Sequence, residues 1–259
     1  MAQGLFPFKY EEAKSESGMT MLAGLPLYLD LAQVVGLSKS VRKHLHVRKD
    51  SQGWTDSQMV VALILLNLAG GDCVDDLRNF EADEGFCRVL RQVEGHGLRR
   101  KARRALERRW RKERHRSVPS PSAVFRYLEK FHNPEQEKLR RLGKAFIPAP
   151  NEPLRGLSRI NADLLSFVQS RQVQPIATLD MDATLVETHK SDAWCCYKGF
   201  KSYQPFNVWW AEHEMIVHTE FRDGNVPAGY EQLRVLTEAL ALLPDGVETV
   251  RLRNDTAGY

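Results

Sequence analysis

Two aspartates, Asp180 and Asp182, stand two residues apart in the stretch "LDMDATLVETH". Period-two alternation with Thr, Leu and Val predicts a β-strand here, and residues two apart on a strand point to one face. Two like charges side by side on a buried strand are costly unless a positive group lies between or opposite them. Carboxylate oxygens are hard ligands that suit Mg²⁺ or Mn²⁺, so a divalent cation is the expected partner. A further acid, Asp255, ends the strand-like run "VETVRLRN". Carboxylates gathered in this way can hold two ions about 3.5–4 Å apart, the clamp used in phosphoryl transfer. One ion would activate a water or 3′-hydroxyl, and the other would stabilise the leaving 3′-oxygen.

The elements around these acids give them a setting. "QPIATLDMDATLVETH" reads as a strand, and "YQPFNVWWAEHEMIVHTEFRDGN" as two strands around a tight turn at Glu212–Glu214. "AGYEQLRVLTEALALLPDG" reads as a helix with Leu233, Leu236, Leu240 and Leu243 along one side. The order strand, strand, strand, helix, strand is how a ribonuclease H-like domain begins. In that fold the first and fourth strands are neighbours, so Asp182 or Asp180 would face Asp255. Within the same half, Lys198 and Lys201 of "CYKGFKSY" are candidates to contact DNA phosphates, with a plain surface hairpin as the alternative. Arg222 of "FRDGN" is a weaker candidate for substrate contact, and His189 and His218 are expected to be structural. Trp209 and Trp210 point to opposite strand faces, so at least one belongs to the core.

Upstream, residues 20 to 92 read as helical. The helix from Asp56 carries Thr55 and Gln58 as a capping box and stops at Gly70-Gly71. The run "LRRKARRALERRWRKERHR" follows, with eleven Lys/Arg and two Glu between Arg99 and Arg116. Basic residues on every side of a helix drawn through it leave no core face. Arg99, Arg100, Lys101, Arg103, Arg104, Arg108, Arg109, Arg111 and Lys112 are therefore candidate phosphate contacts. In "SVPSPSAVFRYLEKF", Ser120 or Ser122 caps a helix with Pro121 in its first turn and a predicted apolar stripe of Val124, Phe125, Leu128 and Phe131. Ser122 and Arg126 would face a DNA groove if this helix is the second of a helix-turn-helix.

Charge divides along the chain. Residues 1–170 hold 29 Lys/Arg against 20 Asp/Glu, and residues 171–259 hold 8 against 13, within a net charge of +4. A basic half beside an acidic half suits one part that meets a polyanion and another that holds cations. The proline-rich "IPAPNEPLRG" marks a boundary, giving a helical basic region over 1–150, a linker or helix over 151–174 and a catalytic region over 175–259. No basic-then-apolar leader is evident, and the most apolar stretch, from Met59, is too short to span a bilayer. Cys73, Cys87, Cys195 and Cys196 lack zinc-site spacing and read as reduced thiols.

"LDMDATLVETH", "YKGFKSYQPFNVWWAE", "FRDGNVPAG" and "RLRNDTAGY" together resemble the DDE transposases of bacterial insertion sequences, and look closest to insertion-sequence family 1380. The resemblance runs over residues 175–259 and extends more faintly through the helical part. It implies an α+β or α/β protein: a helical DNA-binding region followed by a ribonuclease H-like core. Asp182, in Asp-Ala-Thr, matches the family's first acid, and Asp255, in "DTAGY", its second. Asp180 is then an auxiliary ligand or a structural acid. Implied with these are two Mg²⁺ or Mn²⁺ ions, double-stranded DNA partners (element terminal repeats and target DNA), a dimer or larger synaptic complex, and a bacterial cytoplasmic, nucleoid-associated setting. The family's third acid, a Glu, follows the second on a downstream helix, and no residue here matches it. The expectation is an incomplete core, inactive alone. A protein that binds element ends without cutting, and so regulates transposition, is the alternative, and a junction-cutting nuclease is a third reading.

Overall fold

The computed structural model describes residues 19–48, 53–104, 116–141 and 143–254. Two compact units divide the chain, Met1–Phe131 and His132–Tyr259.

In the first unit the described residues include α1 (Leu25–Val34), α2 (Leu37–His44), α3 (Asp56–Leu68), α4 (Leu77–Ala82), α5 (Glu84–Gly95) and α6 (Pro121–Leu128). The capping box at α3 is formed. Thr55 Oγ1 accepts from the Gln58 N–H at 3.3 Å, and Gln58 Oε1 accepts from the Thr55 N–H at 2.9 Å. Gly70 ends that helix at a φ of 74°, a conformation that a side chain would strain. Asp83 separates α4 from α5 because its carboxylate caps α5, accepting from the Phe86 N–H at 2.8 Å, and also accepts from Thr20 Oγ1. Val41, Met59, Leu77, Phe80, Phe86, Val124 and Tyr127 are buried in this unit.

Helix α6 departs from the predicted stripe. Val124 and Tyr127 are buried, whereas Phe125 is 52% and Leu128 38% exposed. Pro121, Val124 and Tyr127 recur every three residues, so the aromatic body of Tyr127 supplies packing area that a purely aliphatic count assigns to Leu128. Ser120 is the cap, accepting from the Ala123 N–H.

The second unit contains α7 (Pro134–Glu137), α8 (Glu152–Arg171), β1 (Ile176–Ala183), β2 (Val186–Glu187), β3 (Ser202–Tyr203), β4 (Phe206–Trp210), β5 (Met215–Glu220), α9 (Gln232–Leu240) and β6 (Thr249–Asn254). Strands β5, β4, β1 and β6 form one mixed sheet in that order. β1 pairs antiparallel with β4 and parallel with β6, and β4 pairs antiparallel with β5. A parallel neighbour needs a crossover, and α9 lies within it. One face of the sheet carries Ala177, Leu179 and Met181 of β1 with Phe206, Val208 and Trp210 of β4, packed with Leu165 of α8 and Val235 and Ala239 of α9.

Helix α9 is rotated from the predicted leucine face. Val235 and Ala239 are buried with Leu236 and Leu243 beside them, while Leu233 is 77% and Leu240 41% exposed. Arg234 explains the rotation. Its guanidinium donates to Glu231 and Glu238 of the same segment and to Glu220 of β5, which turns the adjacent Val235 into the core.

Candidate active site

Alternation along β1 sorts its side chains cleanly. Ala177, Leu179 and Met181 go to the core, so Thr178, Asp180 and Asp182 share the other face. Thr178 is buried under Glu212, donating to its carboxylate through N–H (2.8 Å) and Oγ1 (2.5 Å). Burial pushes the Glu212 carboxyl up, and these bonds outweigh it and hold it below the usual range.

In this structure the positive partner of Asp180 is a side chain. Asp180 stands directly across from Arg253 of β6 in the parallel register. Arg253 donates to both carboxylate oxygens, Nη2 to Oδ2 at 2.6 Å and Nε to Oδ1. This fork-to-carboxylate geometry engages both oxygens and raises the pKa of the guanidinium. Asp180, expected as an auxiliary ligand or a structural acid, is an ion-pair partner in this structure.

Asp182 is exposed at the C-terminal end of β1, two positions from the ion pair. Its Oδ1 accepts from the Ala183 N–H at 2.8 Å. Across β4 its register partner is Asn207, whose Oδ1 is taken by Thr219 Oγ1 at 2.7 Å. On β6 the last described pairing is Met181 with Asn254, the residues immediately before Asp182 and Asp255. Asp255 itself lies outside the described residues.

A family comparison can be set beside this geometry. Residues 13–259 match the family model described as transposase DDE domain group 1. The chain belongs to this DDE transposase family. No curated protein and no solved structure matches it significantly. The mixed four-stranded sheet with its helices fits the ribonuclease H-like domain of a DDE transposase. DDE transposases form a family of enzymes that use divalent metal ions.

Asp182 is an exposed carboxylate, a hard oxygen ligand, and Asp180, the carboxylate beside it, is paired with Arg253. Among the described residues no group of three or more His, Cys, Asp or Glu is arranged to hold a metal.

The predicted basic contacts fall in several places. Arg99, Arg100, Lys101, Arg103 and Arg104 are exposed, the last four in a helical turn, whereas Arg108, Arg109, Arg111 and Lys112 lie outside the described residues. Arg126 and Ser122 are exposed on α6. Lys198 is exposed with its ammonium 5.7 Å from the Tyr197 ring centroid. Lys201 is used within the fold, donating to the carbonyls of Lys190 (3.3 Å) and Ser191 (2.8 Å). That bond helps close the β2–β3 hairpin, whose strands pair Val186 with Tyr203.

Further residues were not legible as structural anchors. Arg140 pairs with Asp223 at 2.5 Å, donates to the Asp192 carbonyl at 2.7 Å and lies 5.1 Å from the Trp194 ring centroid, tying the hairpin down. Gly224 sits in the same place; a Cβ there would come within 2.7 Å of the Ser202 carbonyl oxygen and 2.8 Å of that of Trp194. Arg222, a candidate for substrate contact, is wholly buried, with Nε bonded to Glu220 at 2.8 Å and its guanidinium 4.4 Å from the Phe206 ring centroid. Its position removes it from the substrate-contact candidates. His218 meets Glu238 at 3.2 Å. Burial lowers its pKa against the opposing pull of Glu238 and Glu220, in keeping with a structural role. His189 is exposed.

Proposed function

We propose that this DDE transposase acts on the ends of a bacterial insertion sequence of the 1380 type, by metal-dependent strand nicking and 3′-hydroxyl attack on target DNA. Asp182 and Asp255 are the acid pair that binds Mg²⁺ or Mn²⁺. The single observation that carries this reading is the parallel register of β1 and β6. Leu179 aligns with Leu252 and Met181 with Asn254, and in the sequence an aspartate follows each of Met181 and Asn254. Alternation turns Asp182 away from the core face that holds Met181. Bound there, the ions supply Lewis-acid activation of the attacking oxygen and stabilise the leaving 3′-oxygen. The protein's own contribution is to hold the Asp182 carboxylate on a strand paired on both sides and to bring DNA to it.

DNA is the partner of the helical region, which we read as 1–150, with 151–174 leading to the catalytic region. Arg99, Arg100, Lys101, Arg103 and Arg104 form an exposed basic cluster suited to phosphates. Arg108, Arg109, Arg111 and Lys112 extend it in sequence, and Arg126 and Lys198 are further contacts. Synapsis of two ends requires a dimer or larger assembly, working in the cytoplasm at the nucleoid. No helix among the described residues is long and apolar enough to cross a membrane.

The test is a duplex carrying the element's terminal repeats, incubated with the protein and Mg²⁺ or Mn²⁺. Cutting at the ends that disappears in Asp182→Ala and in Asp255→Ala supports the reading. Equal cutting by either variant overturns the acid assignment. End-specific binding with no cutting under any metal favours a regulator that occupies the ends.

A further inference from the structure

We propose that Asp180 and Arg253 form a charge-neutral pair beside Asp182 that keeps Asp180 from acting as a metal ligand. The inference rests on the reading of Asp182 and Asp255 as metal-binding acids, and goes beyond it by assigning the residue two positions before each. Side chains two apart on a strand are about 6–7 Å apart along it, so the ion pair lies within direct electrostatic reach of Asp182. Both Asp180 oxygens are occupied by one guanidinium, Nη2 to Oδ2 at 2.6 Å and Nε to Oδ1.

Two consequences follow from that geometry. The pair is electrically neutral as a unit. Asp182 therefore meets a cation without a second bare carboxylate beside it, which would draw the ion toward position 180. Finally, Arg253 spends two donor groups on Asp180 instead of opposing the metal from close range.

The experiment measures Mn²⁺ binding to the whole 259-residue chain, by electron paramagnetic resonance of free Mn²⁺ at low ionic strength. It scores the binding that Asp182→Ala abolishes. Asp180→Asn leaves an uncompensated guanidinium and is expected to weaken that binding about three- to tenfold, while Arg253→Gln leaves a bare carboxylate and strengthens it by a similar factor. The double variant Asp180→Asn/Arg253→Gln restores the charge balance and should return to within about twofold of the parent. A metal-ligand role for Asp180 predicts instead that the double variant stays as weak as Asp180→Asn, and that result overturns the proposal. Singles that leave affinity unchanged overturn it as well. If the double variant fails to fold, as judged by circular dichroism, the exchanged pair Asp180→Arg/Arg253→Asp serves in its place. Parental affinity in that exchange, with no carboxylate at position 180, is the expected result, and loss of binding in the folded protein is the refuting one. Mn²⁺ binding that survives Asp182→Ala is a separate failure, since it removes the acid-pair reading on which the pair's role stands.

Discussion

Replacing Arg222 tests whether a buried charge in this fold is a structural anchor or a functional group held in reserve. The side chain has no exposed surface, and its Nε donates to Glu220 at 2.8 Å. Its Nη1 reaches the carbonyls of Pro227 and Ala228 at 3.4 Å each, and its guanidinium stacks on Phe206. Arg222→Ala removes all of these and leaves a cavity against the ring. Large-to-small changes in cores cost about 2–5 kcal/mol, and breaking a buried ion pair costs about 3–5 kcal/mol. Here the two do not simply add. Glu220 keeps Arg234, whose Nη2 lies 2.5 Å from its other oxygen, so no carboxylate is stranded. The Ala variant is therefore expected to lose about 3–4 kcal/mol. Arg222→Met refills most of the volume and should lose only about 1–2 kcal/mol. Urea denaturation followed by circular dichroism gives both values, and a double-mutant cycle with Glu220→Gln isolates the pair. An Ala variant within about 0.5 kcal/mol of the parent would refute the anchor role. So would a Met variant as damaged as Ala. A Met variant that is stable but no longer binds DNA would return Arg222 to the substrate contacts.

Other perturbations probe separate links of the argument. Burial lowers the pKa of His218 below the ordinary histidine value, so the fold prefers the neutral ring. Its stabilisation is present above about pH 6.5 and is lost as pH falls through the folded pKa. His218→Gln should flatten the decline of Tm between about pH 7 and 5, and an unchanged slope would rule the residue out as a contributor. Thr178→Val removes the hydroxyl bond to Glu212 from a buried site and should cost about 1–2 kcal/mol in urea titration, with no change expected from Thr178→Ser. Thr55→Ala removes the α3 cap and should cost about 1 kcal/mol. Neutralising Arg99, Arg100 and Lys101 together should lower the slope of log affinity against log salt by about 3 for duplex DNA, and an unchanged slope would exclude those three from the phosphate contacts.

Residue patterns alone determined much of this protein, wherever a local rule was enough. Strand alternation through "IATLDMDA" put the aspartates on one face because a pleated chain leaves no other choice. Thr55 and Gln58 announced α3 because their side chains satisfy backbone N–H groups within one turn. Glu212–Glu214 marked the β4–β5 turn, and the element order pointed to the sheet that was found, β5-β4-β1-β6. Helix rotation was less legible. Leucine spacing suggested Leu233 and Leu240 for the core of α9, but ion pairing by Arg234 to another element set the rotation. Phe125 likewise faces solvent because Tyr127 packs in its stead.

The pairing of Asp180 with Arg253 was decided only in three dimensions. The partners are 73 positions apart, and nothing local to either announces the other. Whether a carboxylate binds a metal or a guanidinium depends on which strand becomes its neighbour and in which register. That is a property of the closed sheet. The same holds for Arg222, whose charge reads as a surface feature until Phe206, Glu220 and the 227–228 carbonyls enclose it. Short-range geometry is written in neighbouring residues, whereas the electrostatic partner of a charge is chosen by the chain's long-range contacts.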